Sequence, residues 1–221
     1  MIMGMTTLAD HWPPYRLRLC AGDLELSVIT DDDAPGLVDL ALAGIHAPDA
    51  MPFSTPWTLV GPEKLPVEMI RYFSSVRAGF GPGAFDLLFA VRVDGVLVGT
   101  QGLHGRDFAV TRTVETGSWL GLAHQGRGIG TRMRQAVCAY AFDELGAEEV
   151  TSAAFVDNPA SLAVSRKVGY RPNGVVRLKR RDGEMALNQK LVLTPDDLIR
   201  GEPLKVIGAE DLRSFLGLRE R

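Results

Sequence analysis

Gln125-Gly126-Arg127-Gly128-Ile129-Gly130-Thr131 is the stretch on which the reading of this chain turns. Just upstream lies the apolar run Ser118-Trp119-Leu120-Gly121-Leu122. Just downstream, Ile129, Met133, Ala136, Val137, Tyr140 and Ala141 recur at helical spacing. A strand, a glycine loop and a helix start, in that order, aim unpaired backbone N–H groups at one point. The glycines keep β-carbons out of the way, and the helix dipole adds partial positive charge. Such a place suits a phosphate-bearing ligand.

Two familiar phosphate loops are excluded by spacing. No G-x-x-x-x-G-K-[ST] is present, and Gly126, Gly128 and Gly130 do not make G-x-G-x-x-G. The rest of the composition is that of an ordinary globular chain. Its 221 residues, 46% hydrophobic and 23% charged, suit one domain with extensions. A net charge of −3 gives no reason to expect nucleic acid, and Lys179-Arg180-Arg181 reads as a solvated strand end. Cys20 and Cys138 are far apart and form no metal or redox motif, so no metal is expected and Cys138 reads as a small core residue. No run of about 18 apolar residues and no secretory leader pattern is seen, so a cytoplasmic protein without a membrane partner is expected.

Along the chain, residues 1–14 look irregular. Alternating runs at 15–19 and 24–29 predict strands, and Asp31-Asp32-Asp33 with Pro35 predicts a helix start running to about Ala43. Five prolines in 46–66 exclude one regular element there. A helix is predicted over 67–78, a hairpin of 85–93 and 96–103 around Asp94-Gly95, and a strand over 111–120. The helix after the glycine loop should run to about Leu145 and be followed by a strand at 149–156. Asn158-Pro159 opens a helix closed by Gly169, and Asp182-Gly183 joins strands at 174–180 and 184–193. Residues 196–221 read as an appended turn, short strand and helix. This order predicts an α/β (α+β) fold: a mixed, mostly antiparallel sheet with helices on both faces.

With Gln125, Gly128 and Gly130 in register, the loop matches Q/R-x-x-G-x-G/A. It thereby resembles the pyrophosphate loop of the GCN5-related N-acetyltransferases, which bind acyl-coenzyme A. The element order extends that resemblance over about residues 15–195, leaving 1–14 as an N-terminal arm and 196–221 as a C-terminal extension. The resemblance implies a sheet opened by a V-shaped gap. Trp119, Leu120, Gly121 and Leu122 would face the strand around 153–156 across it and pair with the pantetheine arm. Main-chain amides of Gln125, Gly126, Arg127, Gly128, Ile129, Gly130 and Thr131 would hold the diphosphate, with Gly128 and Gly130 needing to stay small. Arg127 or Arg132 would meet the 3′-phosphate. A backbone N–H near Leu120 to Leu122 would polarise the thioester carbonyl.

D-N-x-x-S at Asn158 and Ser161, with E-x-G-x-W-L from Glu115, resembles the RimJ/RimL-like ribosomal-protein N-acetyltransferases. The resemblance implies that Asn158 contacts the pantetheine and Ser161 serves the leaving thiolate. Glu115 would be the general base, with His104 and His124 as rivals. One departure is plain: the tyrosine that many relatives carry four residues before Gly169-Tyr170 is Ser165 here, which turns the acid role to Ser161, Ser165 or no residue. The acceptor pocket would be built by 46–57 and the two helices beside it, with Met51, Phe53 and Trp57 as packing residues and His46 on the acceptor side.

The function implied is N-acyl transfer from acetyl-CoA or succinyl-CoA to a primary amine (a protein N-terminus, a lysine or a small molecule) by direct attack in a ternary complex. A homodimer or higher homo-oligomer is expected. Two other classes stay open: a catalytically idle acyl-CoA-binding regulatory module, and a nucleotide-binding interaction protein.

Overall fold

The computed structural model describes residues 6–218. Helix α1 (Leu8–His11) and a 3-10 turn (Pro13–Arg16) precede strands β1 (Arg18–Ala21) and β2 (Leu24–Val28). Helices α2 (Ala34–Ala43) and α3 (Leu65–Ala78) follow, and then β3 (Ala84–Val93), β4 (Val96–Arg106), α4 (Phe108–Thr111) and β5 (Thr113–Leu120). The second half carries α5 (Ile129–Tyr140), β6 (Glu149–Phe155), α6 (Pro159–Val168), β7 (Arg171–Arg181) and β8 (Glu184–Leu193). The chain closes with β9 (Lys205–Ile207) and α7 (Ala209–Phe215).

Among the described residues, nine strands form one open sheet in the order β7-β8-β6-β5-β4-β3-β2-β1-β9. Every neighbouring pair is antiparallel except β5 and β6. That parallel pair is short. It holds only Thr113↔Glu149, Val114↔Val150 and Glu115↔Thr151, although β5 runs on to Leu120 and β6 to Phe155. Beyond Glu115 the two strands part, while β5 stays paired with β4 up to Gly99↔Leu120 and β6 with β8 up to Phe155↔Asn188. The sheet therefore carries a wedge-shaped opening in its middle, each side held straight by an outer neighbour.

Strand alternation sends residues to two cores. Leu87, Phe89, Val114 and Leu120 join Ile129, Met133 and Val137 of α5 in the larger one, which also takes in Leu212 and Leu216 at the chain's end. Ala90, with Leu88 and Trp119 packed against it, joins Leu37, Val38 and Ala41 of α2 and Met69 of α3 on the opposite face. Asp86, His104 and Glu115 are in cross-strand register and share that second face.

The structure differs from the sequence reading in several places. Residues Leu8–His11 and Phe108–Thr111 make single helical turns too short for periodicity to announce. Residues 1–5 of the expected irregular arm and the last three of the extension, 219–221, lie outside the described residues. The helix after the glycine loop is α-helical only to Tyr140 and then widens into a π-turn over Ala141–Leu145 before Gly146 ends it. Arg180 does not sit in a solvated strand end. Its side chain is 11% exposed, stacks 4.3 Å over Phe155 and bonds Asp157 at 2.6 Å. The extension adds β9 to the edge of β1, so it covers one margin of the sheet.

Candidate active site

The loop after β5 is shaped by its glycines. Gly126 and Gly128 lie at φ +73° and +80°, a left-handed conformation that L side chains resist. The N–H of Gln125 donates to Leu122 O (3.2 Å) and that of Thr131 to Gly128 O (3.1 Å). Among the described residues, the five amides between them, Gly126 to Gly130, have no acceptor. These five free donors lie at and just before the start of a twelve-residue helix. The Gln125 side chain faces inward instead, its Nε2 donating to Ile45 O (2.6 Å) and Leu120 O (2.8 Å), and so ties the loop to the end of α2 and of β5. Gly130 is not crowded: a β-carbon there would meet Val164 at 3.5 Å, an ordinary contact, so the fold itself does not require glycine. Arg127 is exposed and unpartnered among the described residues, whereas Arg132 is tied to Asp23 and Glu202.

The wedge offers backbone edges. Gly121 N–H donates to Val98 O (3.0 Å) on the β4 side, and Leu122 N–H donates to Gly44 O (3.0 Å). Thr116 O faces the other way and accepts from Ser152 Oγ (3.1 Å) where the strands begin to part. By alternation, the main-chain groups of Ser118 and the N–H of Leu120 face the opening, while those of Trp119 face β4. Trp119 instead contributes its ring, at the end of an aromatic ladder. His46 lies 5.8 Å from Phe53, Phe53 5.3 Å from Trp57, and Trp57 6.0 Å from Trp119. The proline-rich stretch is thereby walled against the parted end of β5. His46 itself is held by Thr58 Oγ1 (2.8 Å) and Ala47 O (2.8 Å).

Helix α6 supplies the far side. Asn158 caps it, Oδ1 accepting from Ser161 N–H at 3.1 Å, and its amide nitrogen has no partner among the described residues. The Ser161 hydroxyl has no partner among the described residues. Ser165 is fully buried and committed: its hydroxyl donates to Ser161 O (3.0 Å) and accepts from Arg134 (2.9 Å). Arg134 is the unexpected member. It is 4% exposed, spans from Ser165 to Ser118 Oγ (3.0 Å), has an orphaned Nε, and meets no carboxylate among the described residues. An isolated buried charge is costly. The sequence reading passed over it, although a cation one helical turn after Gly130, inside an apolar stripe, was a signal that could have marked it. Behind the parting point, Thr116 Oγ1 bonds the Tyr170 hydroxyl (2.8 Å), which also meets Cys138 Sγ (3.3 Å). Burial pushes the Cys138 thiol up to about 11, so it is no nucleophile at neutral pH.

On the α2/α3 face, Glu115 is exposed at the last paired row of β5 and β6. Beside it His104 bonds Asp86 Oδ1 through Nδ1 at 2.9 Å, and Arg106 grips both Asp86 oxygens at 2.8 and 3.0 Å. Burial works to raise the Asp86 pKa, but the His104 and Arg106 hydrogen bonds outweigh it and hold the carboxyl well below the usual range. Sequence reading missed Asp86, a polar residue in a mostly apolar strand, because only register places it against His104. His124 ends a short 3-10 turn before the loop and is half-buried.

Solved structures share this fold. Mycobacterium smegmatis RimJ in complex with CoA-disulfide is 20% identical, with a TM-score of 0.64 over 90% of this chain and 92% of that one. RimL, a ribosomal L7/L12 alpha-N-protein acetyltransferase solved with coenzyme A, is 17% identical, with a TM-score of 0.62 over 80% and 97%. At sequence level, the acetyltransferase (GNAT) domain model matches residues 23–171, and the chain belongs to that family. Bacillus subtilis YdaF, named for ribosomal N-acetyltransferase activity, is 38% identical over 90 residues, 41% of this chain and 46% of YdaF. YjcK of the same organism, named as an N-acetyltransferase, is 32% identical over 106 residues, 47% and 59% of the two chains. The chain thus matches about half the length of these curated relatives. Among the described residues, no helix is long and apolar enough to cross a membrane, and no cluster of His, Cys, Asp or Glu is placed to hold a metal ion.

Proposed function

We propose that this protein is an acyl-CoA-dependent N-acyltransferase that transfers an acetyl group to a primary amine by direct attack in a ternary complex. The observation that carries the proposal is the pairing of five acceptor-less amides, Gly126 to Gly130, with a sheet that opens immediately upstream of them. In this reading those amides hold the diphosphate, the Ser118 and Leu120 edges hold the pantetheine, and Asn158 steadies it from α6. Ser161 serves the leaving sulfur. Glu115 and its neighbours on the α2/α3 face meet the amine, which enters past the aromatic ladder. The protein contributes mainly proximity and a fixed set of dipoles around the carbonyl.

The test is release of free thiol from acetyl-CoA with N-terminal tetrapeptides, Nα-blocked lysine and small polyamines. Turnover with at least one amine is expected. Absence of both turnover and CoA binding defeats the proposal, while tight CoA binding with no turnover would make the protein an idle acyl-CoA-binding module.

Arg127 is the free cation beside the loop, so it is assigned to the 3′-phosphate. Arg127→Ala should weaken CoA about fivefold, the value of ~1 kcal/mol for an exposed charge pair. Dephospho-CoA affinity should not change, and calorimetry with both ligands checks this.

A second reading concerns the donor. Arg134, buried without a carboxylate between Ser118 and Ser165, is the one cation of this cluster a carboxyl-terminated acyl chain could meet. Competition of acetyl-CoA against succinyl-CoA, repeated on Arg134→Met, separates the two: a preference for succinyl lost in the variant selects the second reading.

A further inference from the structure

We propose that the proton shed by the attacking amine is taken by His104 Nε2, with Asp86 as the residue that positions and polarises the imidazole. This rests on the acyltransfer reading above and names a base for it that differs from the expected Glu115.

Three observations place His104 in the role. First, Asp86 accepts from Nδ1 at 2.9 Å and is itself held ionised by the bidentate Arg106, so the ring hydrogen sits on Nδ1 and Nε2 presents a lone pair. Second, Nε2 has no partner among the described residues. Third, the ring leans along the sheet toward the opening across two glycines. A β-carbon at Gly102 would lie 2.6 Å from Nε2, and one at Gly117 would lie 3.9 Å from it. Gly117 is two residues beyond Glu115, where β5 has already left β6. The bare nitrogen thus lies over the Gly102↔Gly117 row, where β5 no longer pairs with β6, and any larger side chain at Gly102 would cover it.

Glu115 sits beside His104 in the same cross-strand row, exposed to water, with a field that reaches Arg106. The other charged or titratable groups around the imidazole are Asp86 from β3, Arg106 from β4 and Tyr72, which approaches Asp86 and Arg106 from α3. Proton abstraction near neutrality is most effective from a group whose ordinary pKa lies there, which is the range of imidazoles rather than carboxylates. In the step proposed, the lone pair of the neutral amine forms the C–N bond and the carbonyl becomes tetrahedral. The nitrogen's surplus proton moves to Nε2, leaving an imidazolium that Asp86 stabilises. The C–S bond then breaks with its electron pair on sulfur, and the imidazolium proton is available to the thiolate. Glu115 attracts the amine as its ammonium, which releases one proton to bulk water before attack, and orients the neutral amine that remains.

The decisive measurement needs no acceptor. Long-range 15N–1H spectra of 15N-histidine protein saturated with CoA resolve the four histidines, with His104→Gln giving the assignment. His104 should be an Nδ1–H tautomer with unprotonated Nε2 at alkaline pH, and Asp86→Asn should shift it toward Nε2–H. A wild-type His104 carrying its hydrogen on Nε2 overturns the proposal. With the fastest amine of the panel, His104→Gln should lower kcat about 10²-fold and abolish the fall in rate on acidification, leaving the KM for acetyl-CoA unchanged. Glu115→Gln should instead raise the KM for the amine and keep the acidic limb. Gly102→Ala should behave as His104→Gln in a protein that still binds CoA. A His104→Gln rate and pH profile within twofold of wild type also overturns it. Loss of CoA binding and turnover in the wild-type protein would defeat the parent reading instead, and the tautomer result would stand apart from that failure.

Discussion

Gly128→Val should abolish measurable CoA binding, at least a hundredfold loss, and leave the fold standing. At φ +80° a β-branched residue is strained by about 1–2 kcal/mol or more. No neighbour lies within 4 Å of the new β-carbon, so the strain is relieved by turning the peptide rather than by disturbing the core. Turning that peptide swings the Gly128 and Ile129 N–H groups off the point where the loop's donors meet. Hydrogen bonds to a charged group are worth about 1.5–3 kcal/mol each, so losing one or two accounts for the hundredfold. A matched control exists in Gly174, at φ +90° with equally open surroundings but on β7. Gly174→Val should lower the melting temperature by a similar few degrees and leave CoA affinity alone. Equal CoA affinity in the two variants would remove the diphosphate from this loop.

Gly99→Ala should do the reverse and damage fold and turnover together. Gly99 faces the end of β5: its β-carbon would overlap Trp119 O and lie 2.8 Å from Leu120 Cα, both backbone atoms that cannot swing aside. The strands must therefore shift at the row Gly99↔Leu120, the outer support of the wedge. Overpacking of this kind costs about 1–3 kcal/mol. At about 2–4 °C per kcal/mol for a chain of this size, the expected fall in melting temperature is roughly 3–10 °C. A displacement near 1 Å beside the reacting atoms can cost about 10²-fold in rate, and a loss of that order in kcat is expected. An unchanged melting curve would show that β5 is not seated on β4 as described, and an unchanged kcat would detach the parted strand from catalysis.

Both predictions draw on what the sequence did and did not disclose. The glycine loop, the capped start of α6 and the two Asp-Gly hairpins are legible because each is written in local chemistry: glycine at positive φ, a side-chain cap, a two-residue turn. The fold order followed from them. The opening between β5 and β6 rested on resemblance alone, since nothing in Thr116 to Leu120 says which side of a strand will lack a partner. That is decided by where the neighbours pair, and three parallel rows are too few to leave a pattern. The burial of Arg180 was hidden for a related reason: Phe155 and Asp157, which hold it, lie more than twenty residues away. Asp86 is the sharpest case. Its neighbours Phe85, Leu87 and Leu88 mark a strand, but the partnership with His104 exists only in the register of β3 on β4. Charged and polar residues whose role depends on a register are the ones a linear reading passes over.

The seating of the last elements has a consequence for how this polypeptide is made. Leu212 and Leu216 fill the main core, and the 205–207 strand closes the margin of the first one. Translation delivers those pieces only after the other eight strands have been made. Until residue 216 has left the ribosome, the nascent sheet carries an unsatisfied rim and a greasy vacancy at its N-terminal side, the condition under which chaperones bind and neighbouring chains stick.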